Sequence, residues 1–250
     1  MVRAGDHFHS ILYMRLNRFF GDFDLEQKTL RISSGDFLHQ VKNVLRLEKG
    51  EEIILADGRG KEASAKITEY GKDFIEVEIS EIGENGNEPD KRIILYCSIL
   101  KRENFELVAQ KAVEVGVSEI VPTISGRTVK TGLKYDRLQK IIKEAAEQSG
   151  RGIVPVLREA MKFNDALAGA KENAENILFD MSGPKFVISD ITNLGQRQKS
   201  QVGIFIGPEG GWSGEEISAA KGEGFQIASL GKLTLRAETA AIVASYLACQ

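Results

Sequence analysis

Two stretches near the C-terminus carry residue types suited to chemistry: IFIGPEGGWSGEEI at 204–217 and SLGKLTLRAETAAIVA at 229–244. In the first, an apolar run stops at a turn built from Gly207, Gly210, Gly211, Pro208 and the carboxylate of Glu209. Glycine reaches backbone angles closed to other residues and lets a ligand lie against the main chain. Ser213, followed three residues later by Glu216, forms a capping box, so a helix begins right after the turn and aims its free N–H groups at whatever the turn faces. Such a terminus suits phosphate. Yet the turn lacks the Lys-Ser/Thr of a P-loop and the G-x-G-x-x-G of a dinucleotide fold, and Glu209 repels a polyphosphate. A nucleoside ligand without phosphates, one carrying positive charge, fits these residues better. Taken alone, the turn reads equally well as one that needs glycine only for its geometry. The second stretch adds a Leu-Gly turn at Leu230 and Gly231, a loop with Arg236, and a buried-looking helix with Glu238 and Thr239 in its first turn.

Apolar runs RIILYCSI, EIVPTI, ENILFD, VGIFI and FQIASL must position these loops. They alternate with helical patterns ENFELVAQKAVEVG, YDRLQKIIKEAAEQSG, FNDALAGAKENA, SGEEISAAKGE and AETAAIVASYLA. Strand and helix in turn predict an α/β domain whose mainly parallel sheet is covered on both faces. Ligands of such sheets sit beyond the carboxyl ends of the strands, where both loops fall.

Residues 14–85 read differently. Short alternating or β-branched segments, KTLRI, EEIILAD, SAKITEY and FIEVEI, are separated by turns such as DGRG and YGKD, which predicts a small barrel-like β domain. One helix, DFLHQVKNVLRL at 36–47, interrupts it, with Phe37, Val41, Val44 and Leu45 on one face. ENGNEPDK is polar with Gly and Pro, so the linker is expected at 86–90 and the second domain at 91–250. Residues 1–13 show no periodicity and are expected to be an N-terminal extension.

The 250 residues are 42% hydrophobic, enough for an ordinary packed core, with formal net charge −3. No apolar run approaches the roughly 20 residues that span a bilayer, and MVRAGDHFHSILY is too polar for a signal peptide, so a cytoplasmic location is expected by default. Cys97 and Cys249 lie 152 positions apart in apolar segments, which predicts two buried reduced thiols and no metal site. Charge is uneven along the chain. Residues 14–85 carry 11 Lys/Arg against 15 Asp/Glu, net −4, and residues 91–151 carry 12 against 7, net +5. The basic middle is either a solvated helix face or a phosphate-contacting surface.

IGPEGGWSGEEI together with LGKLTLRAETAA resembles the SPOUT methyltransferases, and within them the ribosomal RNA small subunit methyltransferase E family. The likeness extends to KAVEVGVSEIVP at 111–122, EAAEQSGRGIVPVL at 144–157 and HQVKNVLRLEKGEEIILADGRG at 39–60, which is similar to the family's PUA-like barrel. Four ordered motifs covering nearly the whole chain from Met14 are far more specific than any one. Two departures are Trp212, where a smaller or phenylalanine side chain is expected, and Ala237, where threonine is common.

The resemblance implies a SPOUT-type α/β fold with a C-terminal trefoil knot, preceded by a PUA-like RNA-binding domain. It implies methylation of N3 of a uridine in 16S ribosomal RNA, in an assembled or assembling small subunit, by a homodimer that uses S-adenosylmethionine and no metal. The cofactor would be held by Phe179, Ile206, Gly207, Gly210, Gly211, Leu230, Gly231, Leu235, Arg236, Thr239 and Ala240. Adenine wants apolar walls and amide groups, and the cationic sulfonium is compatible with Glu209. Methyl transfer to the uracil nitrogen requires the imide proton to leave and negative charge on the ring to be tolerated. Arginine suits that task, since its fork stays charged and grips oxygens bidentately. Arg236 and Arg151 are the catalytic candidates, with Glu209 or solvent as proton acceptor. Arg15, Arg18, His39, Arg46, Arg127 and Arg151 are the RNA-contacting candidates. Two other classes stay open: a non-catalytic ribosome-binding protein with a vestigial pocket, and a nucleotide-dependent oxidoreductase, disfavoured by the missing fingerprint.

Overall fold

The computed structural model describes residues 16–187 and 201–250, so the 1–13 extension and Arg15 lie outside the described residues. The described residues divide into two compact units, one of residues 16–88 with 146–154 and one of residues 89–145 with 155–187 and 201–250.

The first unit holds β1 (Asn17–Phe20), β2 (Thr29–Ile32), α1 (Gly35–His39), β3 (Glu52–Ala56), β4 (Lys61–Tyr70) and β5 (Ile75–Glu84). They form one mixed sheet in the order β1-β3-β4-β5-β2, parallel between β1 and β3 and antiparallel elsewhere. Alternation decides the faces: Ala63, Ala65 and Ile67 on β4 and Ile75, Val77 and Ile79 on β5 turn inward with Phe19, Ile53 and Leu55. The expected helix over 36–47 is shorter and changes type. After α1 the chain makes a π-helical turn (Gln40–Val44), with the Leu45 N–H donating to Gln40 O at 2.9 Å. The extra residue in that turn rotates the apolar face, so Phe37 and Val41 stay buried while Val44 is 61% exposed. Arg46 then takes φ 55°, a left-handed angle that ends the helix.

Residues 146–154 add polar contacts to this unit. The Glu147 carboxylate accepts from the Phe20 N–H at 3.0 Å, and Arg18 Nη1 donates to Arg151 O at 2.8 Å. The Arg151 guanidinium, 4% exposed, grips Glu88 twice, Nη2 to Oε2 at 2.6 Å and Nε to Oε1 at 3.2 Å. That fork geometry is the bidentate pairing arginine favours in a buried site.

The second unit comprises β6 (Arg92–Ser98), α2 (Arg102–Val115), β7 (Glu119–Ile124), most of α3 (Tyr135–Ser149), β8 (Val156–Leu157), β9 (Met161–Lys162), α4 (Phe163–Gly169), β10 (Glu175–Phe179), β11 (Gln201–Ile206), α5 (Gly214–Gly222), β12 (Gln226–Ala228) and α6 (Ala237–Cys249). Its sheet runs β12-β10-β11-β6-β7-β8, with β9 also on β7, and the pairings are parallel. One face buries Ile94, Tyr96, Phe205, Phe225 and Trp212 against α4, and Tyr96 stacks on Phe205 at 4.2 Å. The other face receives α6, which packs on β6, β11 and α2. The chain leaves β6 outward to β7 and later returns to β11 on its other side. This reversal of strand order opens a crevice at the carboxyl ends.

Candidate active site

A cavity of about 740 Å³ lies in that crevice, within the volume range of small-molecule sites. Its floor is Phe179 and Ile206, the last residues of β10 and β11. One wall is the glycine turn at 207–212, and the other is the loop from Leu230 to Arg236 with the first turn of α6.

Each glycine of the first turn has its own reason. A Cβ on Gly207 would sit 3.1 Å from the Trp212 ring, too close to a rigid buried indole. Gly211 takes φ 68°, and its N–H donates to Pro208 O at 2.9 Å to close the turn. Gly210 needs neither excuse, since a Cβ there meets only the Arg127 side chain at 3.4 Å. Contacts within the chain therefore do not by themselves require glycine at 210. Trp212 folds back under the turn, 4% exposed, with Nε1 donating to Phe179 O at 3.2 Å and its ring 4.9 Å from Phe163. The unexpected tryptophan is the underside of the cavity wall.

The capping box is present. The Glu216 N–H donates to Ser213 Oγ at 3.1 Å, and the Ser213 N–H donates to Glu216 Oε2 at 2.8 Å. Glu216 Oε1 also accepts from the Gly126 N–H at 2.8 Å, and Arg127 Nη1 donates to Gly210 O at 2.8 Å. The segment after β7 thus fastens the glycine turn from outside. Arg127 holds backbone here, which adds a task to the RNA contact expected of it.

Charged groups line the cavity on several sides. The Glu209 carboxylate is exposed and accepts from the Lys101 N–H at 3.3 Å, just before α2 begins. Glu238, in the first turn of α6, is 8% exposed and receives a long 3.4 Å bond from Asn104 Nδ2. Arg236 is exposed on the rim; among the described residues its guanidinium has no hydrogen bond or ion pair, and only its backbone O is used, by the Ala240 N–H at 2.8 Å. Cys97, fully buried beside this site, has its thiol pushed up by burial and then by the Glu209 charge, so it is inert. Cys249 is only half-buried, against expectation.

Of the expected cofactor residues, Phe179, Ile206, Gly207, Gly210, Gly211, Leu230, Leu235, Arg236 and Ala240 line the cavity, as does Glu209. Gly231 and Thr239 stand beside it, Gly231 at φ 132°. The Arg151 fork is occupied by Glu88. Arg18 is likewise buried, bonded to Arg151 O and 3.1 Å from Glu62, and burial lowers its pKa. In this fold both guanidiniums are engaged by carboxylates, Arg18 by Glu62 and Arg151 by Glu88. His39 and Arg46 are exposed. Lys101, Asn104, Asp180, Trp212 and Glu238 line the cavity without having been expected there. Only the sheet order sets the start of α2 beside the glycine turn. Among the described residues there is no group of three or more metal-ligating side chains, and no helix is long and apolar enough to cross a membrane.

The RNA methyltransferase domain family matches residues 87–248, and the RNA methyltransferase PUA domain family matches residues 41–80. Ribosomal RNA small subunit methyltransferase E of Rickettsia conorii is 30% identical over 92% of this chain and 94% of its own. The protein of that name from Synechocystis is 32% identical over 83% of this chain and 68% of its own. Among solved structures, ribosomal RNA small subunit methyltransferase E from Neisseria gonorrhoeae, bound to S-adenosyl methionine, superposes with TM-score 0.80 and 33% identity, over 92% of this chain and 95% of that one. With an RNA methyltransferase domain, a PUA domain and relatives of one kind, the chain belongs to the ribosomal RNA small subunit methyltransferase E family.

Proposed function

We propose that the protein methylates N3 of a uridine in 16S ribosomal RNA, with S-adenosylmethionine as cofactor and the small ribosomal subunit, assembled or assembling, as partner. The observation that carries this reading is the cavity itself: glycine-loop walls, an apolar floor, no phosphate-gripping lysine in the turn, and on the rim an arginine that has no ion pair among the described residues. The residues fit the cofactor. Ile206, Leu230, Leu235 and Ala240 offer apolar walls to adenine, and backbone groups of the 207–211 turn offer amides. Bound there, the cofactor supplies a methyl group activated on a positively charged sulfur.

The chain's own residues do the rest. Arg236 receives the uracil oxygen on which negative charge builds, and its fork stays charged at any working pH. The imide proton leaves to the exposed Glu209 carboxylate or to water. Trp212 and the Arg127 and Glu216 contacts hold the turn rigid, so orientation is set before the base arrives. Residues 14–85 serve as the RNA-binding PUA-like domain, 86–90 as linker and 91–250 as the catalytic domain. The trefoil knot of the SPOUT fold is carried by family likeness, and an experimental trace through 180–187, 207–213 and 230–236 tests it. A cytoplasmic site of action follows from the substrate.

The test is calorimetry on the purified protein with S-adenosylmethionine and with NADH, followed by labelled methyl transfer to subunits lacking the modification. Binding of the first ligand alone, and label at uridine N3, is the expected result. Tight NADH binding without S-adenosylmethionine binding would overturn the reading, and cofactor binding with no transfer to any subunit preparation would favour a non-catalytic RNA-binding protein.

A homodimer is part of the proposal. On α6, Ile242, Val243 and Leu247 are only half-buried and Tyr246 is 52% exposed, while Leu107 on the adjoining α2 is 40% exposed. Apolar surface of this kind on packed helices suits a second copy of the chain. Light scattering at micromolar concentration should give twice the 27.5 kDa of one chain; a mass of one chain refutes the dimer.

A further inference from the structure

The cavity holds a carboxylate that the proposed reaction leaves without a task. Glu238 lines the cavity, yet 92% of its surface is withdrawn from water, since it is 8% exposed. Among the described residues its one side-chain partner is the Asn104 amide, at 3.4 Å, the long end of hydrogen-bond range, on Oε2. Arg236, two residues earlier, does not neutralise it: the guanidinium is exposed and makes no ion pair among the described residues. A buried carboxylate is costly unless a cation or several donors meet it. Position 238 also lies in the first turn of α6, where the helix N–H groups favour negative charge, so the site is built to keep a carboxylate there. Among the described residues no cation pairs with it.

Resting on the cofactor reading above, we propose that Glu238 is the cation-binding carboxylate of the cavity and takes a positively charged group of the sulfonium cofactor. The target base does not match it, because uracil carries no positive charge. The cofactor carries two cations, the sulfonium and the α-ammonium, and either satisfies the same chemistry. Asn104 is then the positioning residue, turning the carboxylate into the cavity from the first turns of α2. Glu209 is a poorer candidate for this task, since it is exposed and water screens its charge.

Glu238→Gln tests the charge while keeping the shape and a carbonyl oxygen for Asn104. Calorimetry on the full chain uses S-adenosylmethionine, with both cations; S-adenosylhomocysteine, with the ammonium alone; and 5′-methylthioadenosine, with neither. Affinity for the first should fall roughly 10- to 100-fold, the loss expected of a charge-assisted contact, with 5′-methylthioadenosine unchanged and so reporting an intact pocket. An equal fall for S-adenosylhomocysteine assigns the contact to the ammonium; an unchanged value assigns it to the sulfonium. Unaltered S-adenosylmethionine affinity overturns the proposal, and so does an equal loss for all three ligands, which would mark a general distortion. A wild-type protein that binds none of the three ends the cofactor reading and this inference with it.

Discussion

Arg236→Ala lowers the single-turnover rate of methyl transfer about 10²- to 10³-fold, the usual loss when one donor aimed at developing charge is removed. Cofactor affinity and melting temperature stay near wild type. The expectation follows from what the side chain does not do. It is exposed at the rim, and among the described residues no partner holds it, so its removal breaks no hydrogen bond or ion pair among them. A structural arginine would pair with Glu238, but that carboxylate turns to Asn104 instead. Arg236→Lys should restore little, because a point charge on a flexible stem does not reproduce the planar fork. Rate, cofactor affinity and melting temperature measured together decide the matter. A joint fall of all three would make the arginine an anchor, and a wild-type rate in Arg236→Ala would remove it from the reaction.

The parallel sheet and its loops were legible because apolar runs such as RIILYCSI and VGIFI are short and rich in β-branched residues, which favours buried strands over helices, and because the Ser213 and Glu216 spacing marks a helix start with a mechanism behind it. The cavity walls followed from the position of two loops at strand ends. What stayed illegible depends on distance in the chain. Lys101 and Asn104 enter the site only because β11 inserts beside β6, which no local pattern announces. Arg18 and Arg151 read as surface cations because the sequence does not disclose that Glu62 and Glu88 cover them. The π-turn after α1 breaks a helical pattern whose spacing looked regular through Val44 and Leu45. Even the glycines were only half read: their number signalled a turn, but no local pattern announced that a Cβ at Gly207 would meet Trp212 at 3.1 Å.

That constraint sets the largest stability effect. Trp212→Ala should destabilise the protein by about 3–5 kcal/mol, as expected for emptying a buried aromatic site, and should weaken cofactor binding in the fraction that stays folded. The indole is 4% exposed, packs 4.9 Å from Phe163, and bonds Phe179 O at the cavity floor, so the void opens directly beneath the wall. Trp212→Phe separates the two contributions: it keeps most of the packing and loses the 3.2 Å Nε1 bond, leaving Phe179 O without this donor, for a cost of about 1–3 kcal/mol. Denaturant midpoints at constant slope give both values. The coupling to the turn is measurable as well. Gly207→Ala brings a methyl to 3.1 Å from the ring and should be harmful in the native background, yet nearly neutral once the ring is gone, so the double-mutant cycle must be strongly non-additive. If instead the two substitutions add, the tryptophan does not shape the turn, and the wall owes its form to the Arg127 and Glu216 contacts on its outer side.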